Sequence, residues 1–382
     1  MTWLNHESLT AYPRIFIGAY LIFYAFMTLG GTGLCDLEGL PIGHDFSHYW
    51  TASALALSGE AAAVYDYSRL ETARSEVFGQ AKVSLPWLYP PTYLLMILPI
   101  ALMPYLISLA VCLLVTLGGY LWVIHRIAPH PLTVWLTLAF PGTFQNLIFG
   151  QNGFLSAILL GGGLLLLDLS PLAGGFILGL FTFKIHFALL IPIALIAGRR
   201  WRALAAMVTS ALGLALTSLI VLGSEVWMAF LRNIPFTLNL MQSPTLHWHN
   251  RPTVFSALML SGAGLSAARI VQLIVMIGVM AAVAWVWFRG AQASTRFSVL
   301  VLGILLFTPY AAVYDLAILA LPLAWLGWEG YTQGWRHGQR TLLVLGWSTP
   351  VIAPIVARVT YLQMSPLVLG ALLIFIIRAI NH

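Results

Sequence analysis

Apolar residues recur along the chain in runs of about 20, enough for a helix to cross a hydrocarbon core. The first extends from Ile15 to Leu34, and others cover Leu106–Ile124, Leu172–Ala197, Ala203–Leu222, Ala267–Phe288, Leu342–Val359 and Pro366–Ile377. Between Trp87 and Tyr93, aromatic rings suited to the headgroup zone join two prolines suited to a helix's first turn. A helix is expected to enter the membrane there and to break near Pro99 and Pro104. The run from Leu132 to Leu147 is short, and Phe149-Gly150-Gln151-Asn152-Gly153 interrupts the apolar stretch that continues to Leu167. Polar, glycine-rich backbone at membrane depth is tolerated only inside protein or beside a wet cavity. Thr308-Pro309-Tyr310 divides Phe297–Leu326, predicting two short helices that meet near the outer face. One crossing per run gives an all-α polytopic membrane protein with roughly twelve transmembrane helices.

Two polar segments stand out within what reads as a single transmembrane domain, residues 1–382: an external loop at 36–87 and a second at 223–253. In the first, Phe46–Leu57 and Tyr67–Phe78 place apolar residues at near-helical spacing, predicting two interfacial amphipathic helices.

Composition agrees with this pattern. With 60% hydrophobic and 8% charged residues, the chain has too little polar surface for a soluble globule. The formal charge of +6 does not indicate nucleic acid, because its cations lie singly or in short clusters at helix ends. Arg199, Arg200 and Arg202, then Arg289 with Arg296, Arg336 with Arg340, and Arg378 mark cytoplasmic ends under the positive-inside rule. Counting back from Arg199 puts the N-terminus inside and 36–87 outside, and the location expected on this reading is a bacterial inner membrane with any site facing the periplasm or exterior. Residues 1–13 carry no Lys or Arg and no A-x-A-like site follows the first run, so that run is expected to be a retained helix. Cys35 and Cys112 form no C-x-x-C pair, and no disulfide, metal or cofactor is expected.

Seven of the twelve acidic residues fall between Asp36 and Glu76, and that segment contains Gly43-His44-Asp45-Phe46-Ser47-His48-Tyr49-Trp50. Asp45 has two readings: a carboxylate raised in pKa by partial desolvation that takes a proton from a hydroxyl, or the cap of the following helix. On a helix it would share a face with His48. Lys184, near the centre of an apolar run, costs on the order of 2.5–3.5 kcal/mol to insert, so something anionic should compensate it. A bound phosphate would serve, and so would a structural pair with Asp168 or Asp315. His247, His249 and Arg251 gather cationic groups on the second loop, while Tyr310, Tyr314 and Asp315 lie at a helix break. The H-x-H spacing alone does not make a metal site. Gln151 and Asn152 suit either a sugar or an interrupted backbone.

Taken in order, these features resemble glycosyltransferase family 87, membrane transferases of the GT-C superfamily that use polyprenyl-phosphate sugars. The likeness rests on Asp45-Phe46 with Tyr49, Gly59, Val64-Tyr65-Asp66, Tyr89-Pro90-Pro91, and Leu98-Pro99 through Met103-Pro104. It continues in Phe149-Gly150-Gln151-Asn152, Gly174 through Lys184, Arg199-Arg200-Trp201-Arg202, Thr308-Pro309-Tyr310 and Tyr314-Asp315-Leu316, covering roughly Ile15 to Pro322. The late motif departs from some relatives, which carry His where this chain has Tyr314-Asp315. The resemblance implies a GT-C-like bundle and an inverting sugar transfer, mannose by default, from polyprenyl phosphate to a lipid or glycan acceptor. It assigns Asp45 as general base and Lys184 to the donor phosphate, with His249 and Arg251 as further phosphate ligands. His44, His48, Tyr49, Tyr89, Gln151, Asn152, His186, Tyr310, Tyr314 and Asp315 are expected to line the substrate cavity. The alternative from another class is a lipid or solute transporter, but no clear repeat of broken helices appears.

Overall fold

The computed structural model describes residues 6–79, 86–241, 243 and 247–380, so parts of both predicted external loops lie outside it. Among the described residues the chain is helical and forms no β-strand. Five helices are long and apolar enough to cross a membrane: Thr10–Leu29, Tyr105–Ile127, Trp201–Leu222, Leu265–Phe288 and Gln339–Thr360. A sixth is available if Pro131–Leu138 and Pro141–Phe149, bent by 52°, count as one span. Ile22, Leu114, Ile220 and Ile274, on four of those helices, are exposed as a lipid-facing surface requires.

The chain divides into two compact units. The first comprises Met1–Gly118, Asn146–Gln151 and Ala211–Ser243. Here the helices Phe46–Leu57 and Tyr67–Phe78 form over the residues their periodicity predicts. Pro91 starts the helix Pro91–Ile97, whose continuation tightens into a 3₁₀ turn, Leu98–Leu102, at Pro99. Ser53 Oγ donates to the Leu98 carbonyl at 2.7 Å and Trp50 Nε1 to that of Met103 at 3.0 Å, fixing Phe46–Leu57 across this turn. Much of the segment expected as a second external loop is the helix Ser224–Met241. Its Val226 and Phe230 recur at a spacing of four, and Phe230 packs on Tyr65 with ring centres 5.8 Å apart.

The second unit comprises Gly119–Gln145, Asn152–Ser210 and Pro244–His382. Its helices Gly153–Leu167 and Pro171–Leu180 lie close because small residues meet there: a Cβ on Gly174 would stand 2.8 Å from the Gly163 carbonyl oxygen. The helix Ala293–Phe307 is buried from Arg296 to its end, as a segment apolar on all sides must be. Its C-terminal carbonyls would be orphaned where Pro309 stops the helix, and Gln272 answers them. Gln272 Nε2 donates to Leu306 and Phe307 at 3.1 and 3.2 Å, and its Oε1 accepts from Phe255 N.

The apolar run from Leu172 to Ala197 departs from the continuous helix expected of it. It breaks at Lys184, which separates the 3₁₀ turn Phe181–Phe183 from the helix Ile185–Ala188. An ammonium that must reach a partner away from the helix axis is better placed at such a break.

Candidate functional site

In the first unit, two tight turns set Asp45 against Gln151. Gly43, His44 and Gly150 adopt positive φ, and a Cβ on Gly150 would come within 2.6 Å of the Gly43 carbonyl oxygen and 2.7 Å of Phe46 Cβ. Asp45 N donates to the Phe149 carbonyl at 3.1 Å, joining the turns. Asp45 precedes the helix Phe46–Leu57, yet its side chain makes no cap bond. Instead Asp45 Oδ2 accepts from Gln151 Nε2 at 2.6 Å. Asp66 is the contrast, since its carboxylate does cap Tyr67–Phe78 through Ser68 N and Arg69 N.

The network extends away from the carboxylate. Tyr49 donates to Gln151 Oε1, and the Tyr49 and Tyr89 hydroxyls lie 3.0 Å apart. A phenol has one proton, and Tyr49 gives it to the amide oxygen, so Tyr89 donates to Tyr49. These hydrogen bonds therefore run in one direction, from Tyr89 through Tyr49 and Gln151 to Asp45. An amide is a poor proton conduit, which makes this chain a device for orienting the carboxylate. Burial raises the Asp45 pKa, opposed by the Gln151 hydrogen bond and by His44. Around Tyr49 pack Trp87, Tyr89 and Tyr93, with ring centres 5.4–6.0 Å away. Trp87 and Tyr93 belong to the aromatic stretch expected at the headgroups, but both are buried, and their part in holding Tyr49 had no signal in spacing alone.

The neighbouring histidines face elsewhere. His44 Nε2 meets Asp36 Oδ2 at 3.0 Å. His48 has its pKa pushed down to about 4 by burial, then Arg74, while Glu71 acts the other way. It is neutral at physiological pH.

In the second unit, Lys184 Nζ donates to Asp315 Oδ1 at 2.5 Å, with both side chains buried. This is one of the two carboxylate partners that the sequence left open. Asp315 Oδ2 accepts from Ala312 N at 2.8 Å, so the same carboxylate also fixes the turn that follows Pro309. The Lys184 ammonium lies 5.3 Å from the Phe187 ring centre, and His186 stands edge-on to Tyr310 at 6.1 Å. The charges of Asp315, Lys184 and Arg251 all act on His186. Burial lowers the pKa of Arg251, opposed by Tyr314, Asp315 and Tyr310. Lys184, His186, Arg251, Tyr310, Tyr314 and Asp315 thus form one electrostatically linked cluster, in which Asp315 pairs with Lys184 and its charge also acts on Arg251. Ammonium and guanidinium groups are the donors that suit an anionic oxygen ligand.

The structure gives His249 other neighbours: its carbonyl accepts from Gln363 Nε2 at 2.8 Å and its ring is 5.5 Å from that of His247. Asn152 belongs to the second unit, where its carbonyl accepts from Ser156 N at 2.9 Å. Gln363, which anchors the His249 backbone, was not foreseen because 114 residues separate them.

Neither a curated protein nor a solved structure matches the chain. A family model described as Glycosyltransferase family 87 matches residues 87–309, more than half the length of the chain. That span contains Tyr89, Gln151, Lys184 and Arg251, and this membrane protein belongs to glycosyltransferase family 87.

Proposed function

We propose that this glycosyltransferase moves a sugar, mannose by default, from a polyprenyl-phosphate donor to a hydroxyl of a lipid or glycan acceptor, with inversion at the anomeric carbon. Asp45 takes the acceptor proton as the hydroxyl oxygen attacks that carbon. The bond from carbon to phosphate oxygen breaks, and its electron pair leaves on the polyprenyl phosphate. That leaving group is a stabilised anion, so cations suffice to receive it and no separate acid is needed. Lys184 and Arg251, with His249, fill this role, while Tyr49, Tyr89 and Gln151 hold the base in place. His44, His48, Asn152, His186, Tyr310, Tyr314 and Asp315 shape the surroundings of the substrates. The enzyme resides in a bacterial inner membrane with its site on the periplasmic or exterior face. The helices too short for a full span by length alone, Gly153–Leu167 and Ala293–Phe307 among them, bring the crossings to about twelve. Phe46–Leu57 and Tyr67–Phe78 lie at the interface.

The observation that carries this reading is that Asp45 leaves its helix uncapped while Gln151 orients its carboxylate and burial raises its pKa. Purified protein in detergent, given polyprenyl-phosphate mannose and candidate acceptors, is expected to make a new glycoside, which a transporter cannot do. Asp45→Asn is expected to lower kcat by about 10²–10⁴-fold, the usual worth of a general base, with donor binding unchanged. Full turnover by that variant would remove Asp45 from the chemistry.

A further inference from the structure

A second basic site lies in the second unit, away from the proposed reaction's residues. Between the helices Leu190–Ala197 and Trp201–Leu222 the chain passes through Gly198-Arg199-Arg200, beside the turn that ends Leu265–Phe288. A cavity of about 380 Å³ opens there, lined by Arg199, Arg200, Arg296, Trp287 and Phe288 among others.

Its charge is unbalanced. Asp168 accepts from Arg200 Nη2 at 2.6 Å through one oxygen and from Arg296 Nη2 at 3.0 Å through the other. Three guanidiniums against this one carboxylate leave a surplus of two positive charges. Arg296 is 8% exposed, lies over the Trp287 and Phe297 rings, and keeps its Nε buried with no hydrogen-bond partner among the described residues. The Trp287 indole N–H is engaged by the Arg296 carbonyl at 3.1 Å. Two uncompensated positive charges lining a cavity raise the local concentration of an anionic ligand. Planar guanidinium forks match phosphate oxygens in both spacing and charge.

We propose that this cavity binds a phosphate group, supplied either by a phospholipid headgroup or by a soluble phosphate. The reading is independent of the transfer reaction. The test uses the full chain in phosphatidylcholine nanodiscs. One arm titrates inorganic phosphate by calorimetry; the other adds phosphatidic acid and counts retained lipid by native mass spectrometry. Saturable binding near one per chain is expected in at least one arm, and the arm that responds identifies the source.

Arg296→Lys keeps the charge but removes Nε, and Arg199→Asn suits the positive φ at that position; each is expected to weaken binding at least tenfold. Arg378→Gln, which removes a charge on another helix, is expected to bind like the parent. The proposal is overturned if neither arm saturates, if both cavity variants bind normally, or if Arg378→Gln loses as much as they do. Binding abolished by Arg251→Gln but kept by both cavity variants would belong to the other cluster and would also overturn it. A thermal melt of each variant separates lost binding from lost fold.

Discussion

Asp45 heads a helix without capping it, and this frees its carboxylate for Gln151. A base works deprotonated. Burial raises the Asp45 pKa, so turnover is expected to fall with acid through a midpoint above the ordinary value of about 3.9. Gln151 stabilises the charged form, and Gln151→Leu removes that bond. The midpoint should therefore move further up, so the variant loses activity at a pH where the parent retains it. A kcat/KM profile against pH checks this, and an unmoved acid limb would assign it to another group. The sequence shows an acid close behind the first apolar run, which singled Asp45 out as a candidate. The cap reading fails because the carboxylate turns instead to an amide 106 residues away.

Among the helices, Phe46–Leu57 and Tyr67–Phe78 follow from local periodicity, and Ser224–Met241 shows the same pattern within a segment expected as loop. The run through Lys184 looks uniform because Phe183 and Ile185 flank the lysine, but the helix breaks where the ammonium turns to Asp315. Removing one member of a buried ion pair strands the other, so Lys184→Ala is expected to destabilise the protein by about 3–5 kcal/mol. Adding Asp315→Asn should restore most of the melting temperature. If Lys184 also holds the donor phosphate, the double variant will still bind polyprenyl phosphate at least tenfold more weakly than the parent. Recovery of affinity together with stability would make the lysine a structural partner only. Thermal melts and a donor titration of the three proteins decide this.

Across the molecule, the distribution of charge predicts orientation. Acidic residues crowd 36–76, and arginines mark the opposite ends of the apolar runs. With Cys35 and Cys112 replaced by Ser, Glu38→Cys should react with a membrane-impermeant maleimide in intact cells. His337→Cys should react only after permeabilisation, and the reverse pattern would invert the proposed topology. The family match begins after Asp45 and ends before Tyr310, so the base and the Lys184 partner rest on geometry and resemblance. Membrane residence, helical content and family were readable from the chain, because lipid makes hydrophobic length act locally. The Gln151 to Asp45 bond, the Lys184 to Asp315 pair across 131 residues, and the partition of charge around Asp168 were decided by packing. Each satisfies a polar group that its own segment leaves unpaired, and which distant group does so is fixed only when the helices come together.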